Sequence, residues 1–285
     1  MKGYEEAAKG WVAWKLPGHR CLHLKGADAK DWLQGQITQD VKKIIFETCL
    51  TSATGQIEAF AQVYGAVDGG VYIITAQPEV MANRVDRYVI MEDVTLEDTG
   101  REIWCQVSRV HPDFPDLDAI GDFTWWLKPE RPRDSQTGIE YPVADEEAIE
   151  CLMIEAGVPL LGVDTSSKTL PPELGAAFDA RAVSYAKGCY VGQEVLMRMH
   201  SRGHTNKTWV CLRSDTVLTP GSPVKVGQEN VGTIHRSTLS PRYGPLATAT
   251  IRNEHATEGS TVSVDPVTAS VHHWPLAFVT SQKAI

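Results

Sequence analysis

The sequence predicts an α+β protein in two parts, a larger amino-terminal unit over residues 1–206 and a small all-β unit over residues 207–285. Three observations point there. At 285 residues the chain exceeds one average domain. Its first part alternates strand patterns with helical ones in an order that returns the chain to one sheet, unlike a doubly wound layout. After Gly203 the pattern changes to short strands separated by Gly, Pro and Asn, the mark of a small barrel or sandwich.

The elements follow in order. Residues 1–10 carry few apolar side chains and read as loose chain or a short helix. A short apolar run, Trp11-Val12-Ala13-Trp14, precedes Pro17 and Gly18; Cys21-Leu22-His23-Leu24 then alternates as a strand does. A helix is expected from Asp28, with Asp28 as N-cap and Ala29, Trp32 and Leu33 on one face. Residues 46–50 and 57–63 read as strands around the Thr54-Gly55 turn. The Asp68-Gly69-Gly70 turn and Val71-Tyr72-Ile73-Ile74 extend this into an antiparallel meander. Pro78 opens a helix carrying Val80, Met81, Val85, Tyr88 and Val89. Residues 92–98 and 104–110 are expected strands. The Pro- and Asp-rich stretch 113–142 holds one more strand at Trp125-Trp126-Leu127, whose tryptophans suit a core better than a stacking platform. Residues 145–156 form a helix that Gly157 ends and Pro159 keeps from continuing. A loop and a short helix within 174–183 lead to the second part, whose strands are expected at 208–213, 222–226, 231–236, 246–251 and 261–264.

Composition narrows the function classes. Apolar residues make up 42% and charged residues 22%, ordinary for a soluble globular chain. A net charge of −9 without a Lys/Arg block speaks against stable nucleic-acid binding. The six cysteines form no CxxC and no Cys/His metal spacing. With no secretory signal pattern and no apolar run of membrane length, they are expected as free thiols in a cytoplasmic protein with no membrane partner.

The densest chemistry lies in Lys187-Gly188-Cys189-Tyr190-Val191-Gly192-Gln193-Glu194. A cation beside a thiol can stabilise the thiolate, so Lys187 and Cys189 form a candidate reactive pair; a buried, inert cysteine is the alternative. Glu155 falls in the last turn of its helix, where a carboxylate opposes the dipole. It is either a solvated side chain or a site residue, and a carboxylate is what the two parallel N–H donors of an aminopyrimidine need. Glu194 and Arg198 form an i,i+4 pair; Arg198 and Arg202 with His200 and His204 could instead make a modest anion site. The two histidines lack a third metal ligand.

The eight-residue stretch, continued by Arg198 and Arg202-Gly203, resembles the signature of the YgfZ-type folate-binding proteins, relatives of the glycine cleavage T-protein (an aminomethyltransferase). Weaker likenesses fall in the right order: Leu24-Lys25-Gly26-Ala27-Asp28 to Thr38-Gln39-Asp40-Val41, Arg87-Tyr88-Val89, Ile154-Glu155-Ala156-Gly157, Pro171-Pro172-Glu173-Leu174 and Val231-Gly232-Thr233. The resemblance implies a T-protein-like core of α/β subdomains around a central hole, followed by a small β-barrel. It implies tetrahydrofolate or a derivative as cofactor, and a role in assembling or repairing iron–sulfur proteins, linked to tRNA modification. Its partners would be folate and iron–sulfur client or assembly proteins. It gives Cys189 the part of the essential thiol, Glu155 that of the pterin-binding carboxylate, and cofactor contacts to Lys187, Tyr190, Gln193, Glu194 and Arg198. Two positions depart from the T-protein pattern. Glu58-Ala59 stands where an Asp pair assists transfer, and Met153 stands where an Arg precedes the Glu. The first favours an accessory role over aminomethyl or methyl transfer; Met153 implies an altered folate affinity and keeps open a partner-binding module without folate.

Overall fold

The computed structural model describes residues 1–109, 119–120, 123–203 and 205–276. The first part opens with helix α1 (Tyr4–Lys9), strands β1 (Val12–Lys15) and β2 (Arg20–Lys25), helix α2 (Ala29–Gln34) and the meander β3 (Ile45–Thr51), β4 (Ile57–Gly65), β5 (Val71–Thr75). Helix α3 (Pro78–Tyr88) and strands β6 (Thr95–Asp98), β7 (Trp104–Arg109), β8 (Ala119–Ile120) and β9 (Phe123–Lys128) follow. Helix α4 (Glu146–Ala156), a 3-10 turn (Pro171–Leu174) and helices α5 (Ala176–Ala182) and α6 (Gln193–Arg202) complete it. The second part is β10 (Lys207–Ser214), β11 (Pro223–Val226), β12 (Glu229–Ser240), β13 (Gly244–Arg252), β14 (Thr261–Val264) and β15 (Val267–His272).

Three sheets result. The meander becomes a five-stranded sheet in the order β3-β4-β5-β2-β6, and a second sheet runs β1-β7-β9-β8. The last six strands close into a barrel, β10-β13-β12-β11-β14-β15, with β15 pairing back onto β10. Closure removes exposed edges, which is how short strands of this kind escape edge pairing.

Strand alternation decides what faces what. On the five-stranded sheet Leu22, Leu24, Phe46, Leu50, Ala59, Ala61, Val63, Val71 and Ile73 pack under α2 and α3 with Trp32, Leu33 and Met81. The opposite face carries Glu47, Phe60, Gln62 and Ile74, and there the sheet meets the β1–β7–β9 sheet, α4 and α5. Helix α4 is buried from Ala148 to Ala156 except at the half-buried Glu150, with the four-stranded sheet on one side and the barrel on another.

Two local expectations change. Asp28 precedes α2 but its side chain makes no cap bond. Instead Asp28 Oδ2 accepts from the Asp93 N–H at 2.8 Å and Asp93 Oδ2 accepts from the Ala27 N–H at 2.9 Å, a reciprocal clamp between two loops. The strand expected over 92–98 begins only at Thr95, because Glu92 turns back to accept the Ile90 and Met91 N–H groups. Among the described residues no helix is long and apolar enough to cross a membrane.

Candidate functional site: an inter-sheet cavity and a surface loop

A cavity of about 350 Å³ lies where the two sheets, α4, α5 and the 158–161 segment converge. Its walls are mostly apolar: Trp14, Leu16, Phe60, Ile74, Trp125, Leu127, Ile149, Met153, Leu160 and Phe178. Helix α4 supplies one wall because Glu146, Ile149, Glu150 and Met153 recur at helical spacing on one face. Asp145 fixes where that helix starts, accepting from the Ala148 N–H at 2.8 Å. Gly157 fixes where it ends: φ is 73°, and a Cβ there would lie 2.5 Å from the Trp274 ring. The tryptophan expected in the core, Trp125, is buried and faces this cavity; the Trp126 side chain lies outside the described residues.

Polar groups enter at fixed points. Glu47 Oε2 accepts from Arg181 Nε at 2.8 Å, and the same guanidinium donates to the Ala177 and Gly157 carbonyls. Glu150 stands 3.3 and 3.4 Å from Arg236 Nη1, a loose contact for a charged pair. Arg236 itself is locked: its Nη2 donates to the Val158 carbonyl at 2.8 Å and lies 2.7 Å from the fully buried Asp164 carboxylate. Asp164 also accepts from Trp209 Nε1 and the Thr248 hydroxyl, so a buried ion pair ties the barrel to the cavity floor. His19 also lines the cavity, and burial pushes its imidazole down from the usual histidine range.

Glu155 is not part of this cavity. The side chain is 4% exposed, and its Oε1 accepts from the Tyr4 and Ser240 hydroxyls, each at 2.5 Å. It therefore joins α1, α4 and β12, on the far side of α4. Two residues along a helix is a rotation of roughly 200°, so with Met153 in the cavity Glu155 must face away. The pterin contact that the resemblance implies for Glu155 would therefore lie outside this cavity. Burial and Glu155 together push the neighbouring Cys151 thiol up to about 12, and burial with the Glu155 bond raises the Tyr4 hydroxyl.

The eight-residue loop is a separate feature. Lys187 does not reach Cys189: its Nζ donates to the Gln34, Ile37 and Gln39 carbonyls at 2.6, 2.7 and 2.9 Å. An ammonium has three donors, and all three are used. Burial pushes this ammonium down to about 8, with Asp40 pulling the other way. The Thr51 hydroxyl donates to the Val191 carbonyl, and the Val191 N–H donates to the Gly35 carbonyl. Gly192 closes the anchor: φ is 86°, and a Cβ would sit 2.5 Å from the Ser52 carbonyl oxygen. Tyr190 is buried under Lys187, whose Nζ lies 5.0 Å from its ring centroid. Cys189 is the exposed cysteine of the six, all of them free thiols.

Beyond the loop, Gln193 opens α6 and Glu194 pairs with Arg198 at 2.7 Å on the surface, worth a few tenths of a kcal/mol. His200 stacks on Tyr185 at 3.8 Å, while His204 lies outside the described residues. No group of described residues could hold a metal ion. Lys187, Cys189, Tyr190, Gln193, Glu194 and Arg198 all stand apart from the cavity lining, so the cofactor contacts that the resemblance implies for the loop would lie outside this cavity. The cavity residues Glu47, Glu150 and Arg181 carried no sequence motif, and Arg236 meets Glu150 from outside the lining; the helical spacing of Glu146, Ile149, Glu150 and Met153 is the signal that could have found this wall.

Comparison with known proteins places this geometry. No protein-family model matches the chain. A solved aminomethyltransferase T of the glycine cleavage system from Bartonella henselae superposes with a TM-score of 0.76 at 14% identity, covering 96% of this chain and 88% of that one. A tRNA-modifying protein YgfZ from Colwellia psychrerythraea is 24% identical over 223 residues, 68% of each chain. The fold is YgfZ-type and T-protein-like. An uncharacterised protein of Haemophilus influenzae is similar at 24% identity, over 70% of this chain and 73% of its own length. A YgfZ of an Enterobacter species is 23% identical over 63% of this chain and 65% of its own. The closed six-stranded barrel after a mixed core is the arrangement that the sequence resemblance implied.

Proposed function

We propose that this chain is a folate-binding accessory protein for the assembly or repair of iron–sulfur proteins, linked to tRNA modification, with Cys189 as its working thiol. The cavity carries the reading. Its volume of about 350 Å³ falls within the range of small-molecule sites, about 300–1,000 Å³. Flat aromatic walls from Trp14, Phe60 and Trp125 suit a planar bicyclic ring, and Glu47, Glu146 and Glu150 are carboxylates of the kind its donor edge needs. The residues present therefore fit a pterin, held by the cavity rather than by Glu155. A bound tetrahydrofolate would supply a reduced, one-carbon-carrying ring.

Aminomethyl transfer has less support. Arg84 Nη2 donates to Glu58 at 2.7 Å, Ala59 is fully buried, and neither lines the cavity. The accessory role draws on the exposed Cys189, since a thiol on a pinned loop can meet a partner protein or a small thiol. One cysteine cannot hold a cluster, which needs about four ligands, so cluster contact would require ligands from the partner. Tetrahydrofolate under anaerobic conditions should raise the unfolding temperature with ligand concentration; no shift at saturating ligand would remove the folate reading. In cells lacking the protein, Cys189→Ser should fail to restore a failing iron–sulfur enzyme. Full restoration would remove the thiol's role.

A further inference from the structure

We propose that Ser270, His272 and Glu258, on the outer face of the barrel, form a nucleophilic triad that takes an acyl group from small activated esters and passes it to water. This site lies in the second part of the chain and does not rest on the folate reading.

Strand alternation puts the first two side chains together. In β15, Ala269 and Val271 point into the barrel core, so Ser270 and His272 share the outer face. Ser270 Oγ lies 2.8 Å from His272 Nε2, and His272 Nδ1 lies 2.6 Å from Glu258 Oε1. A carboxylate only accepts, so the proton of that second bond belongs to Nδ1. In the neutral imidazole Nε2 then carries the lone pair, and the Ser270 hydroxyl donates to it. The contact of the same hydroxyl with the Arg213 carbonyl, at 3.4 Å, is the weaker of the two. The imidazole is largely shielded, its side chain 17% exposed, so water competes little for Nε2.

Glu258 is held as an orienting group must be. Its Oε2 accepts from the His273 N–H at 2.7 Å, so both oxygens are fixed. The turn that carries it is fastened to β15. The Gly259 N–H donates to the Val271 carbonyl at 2.8 Å, and the Val271 N–H donates to the Ser260 carbonyl at 2.9 Å. His273 adds a third tie, from Nε2 to the Ala256 carbonyl at 2.6 Å. A Ser/His pair on a strand face is by itself an ordinary surface contact. Nucleophile, base and fixed carboxylate in hydrogen-bonded sequence are what mark a triad, whatever their order in the chain. Arg213 is exposed and lies opposite Ser270 on β10, which puts a guanidinium on the face where negative charge would develop.

The chemistry is acyl transfer to water. Ser270 Oγ bonds to the ester carbonyl carbon as its proton moves to Nε2, and the alcohol leaves with that proton. Water, deprotonated by the same nitrogen, then releases the acid and restores the serine. A site on an open strand face suits short esters with a good leaving group better than long chains that need a groove.

The test is a fluorophosphonate probe on the full chain, with the modified residue located by peptide mass analysis. Ser270 should be phosphonylated, with fluoride as the leaving group. His272→Ala should slow this by about 100-fold or more, the usual weight of a general base. Glu258→Gln should slow it by about tenfold or more. Turnover of 4-nitrophenyl acetate is followed in Cys189→Ser, because an exposed thiol attacks such esters too. Adding Ser270→Ala should abolish that turnover. An unmodified Ser270 in the wild type would overturn the proposal without recourse to any variant. Equal labelling in a folded His272→Ala would remove the base, and turnover unchanged by Ser270→Ala would remove the nucleophile.

Discussion

The cavity and the signature loop are built on opposite plans. The cavity gathers side chains from two sheets, two helices and the 158–161 segment, and its polar groups sit as isolated points on apolar walls. The loop packs Lys187, Cys189, Tyr190, Gln193 and Glu194 into eight residues, yet most of that chemistry is anchoring. Lys187 bonds backbone carbonyls, Gly192 admits the Ser52 carbonyl, Tyr190 packs beneath, and Cys189 alone is presented as a reactive group to solvent. Dense local chemistry marked a pinned thiol, while the ligand-sized space arose from residues with no local signal. Two functional elements placed apart can serve one activity through a ligand and a partner, or two separate ones.

Variants can break or sharpen this separation, because loop changes should leave cavity affinity alone. Gly192→Ala has the largest expected cost, about 4 kcal/mol in denaturant unfolding, from a left-handed backbone plus a backbone clash at 2.5 Å. Folded Gly192→Ala protein with weakened ligand binding would show that loop and cavity are one site. Lys187→Met should cost about 3 kcal/mol by leaving three buried carbonyls without their donor.

Lys187 also sets a pH signature. Its folded pKa, about 8, is depressed below the usual lysine value of 10.5, so between these pH values the unfolded chain binds more protons. Stability from this residue is lowest below pH 8 and rises with pH up to 10.5. The gap in unfolding free energy between wild type and Lys187→Met should widen across that window by on the order of 3 kcal/mol. A gap that narrows would show that the buried ammonium is favoured rather than penalised.

Smaller effects sharpen the contrast across α4. Glu155→Gln should cost about 2 kcal/mol, through its bonds to Tyr4 and Ser240, with ligand affinity unchanged. Cys189→Ser should change stability by less than about 0.5 kcal/mol, as expected at an exposed site. In the native state one thiol of the six should react quickly with a thiol reagent, and none in Cys189→Ser. Fast reaction of a second thiol would place another cysteine at the surface.

Much of the fold was legible because it is local. The meander turns, Pro78 at the start of α3, Gly157 at the end of α4 and the short barrel strands each carry their signal within a few residues. The site was less legible because its contacts are long-range. Lys187 Nζ meets a carbonyl 153 positions away, at Gln34, whereas a local reading pairs it with Cys189. Glu155 drew attention by opposing the helix dipole, but only the barrel's arrival at Ser240 explains what it bonds. Asp164 sat in an apparent loop, and its pairing with Arg236 depends on how the barrel docks. The face of α4 was readable in one respect: Met153 and Glu155 cannot share a side of a helix.

The separation of ligand recognition from interdomain anchoring can be measured across one helix. Tetrahydrofolate would be titrated anaerobically into wild type, the double variant Glu47→Gln/Glu150→Gln and Glu155→Gln, with the unfolding free energy of each determined alongside. The expected result is a crossed pattern. The double variant loses about 10- to 100-fold in affinity, while Glu155→Gln keeps its affinity and loses stability. Loss of binding in folded Glu155→Gln with full affinity in the double variant would contradict it, and would put the pterin on the barrel side of α4.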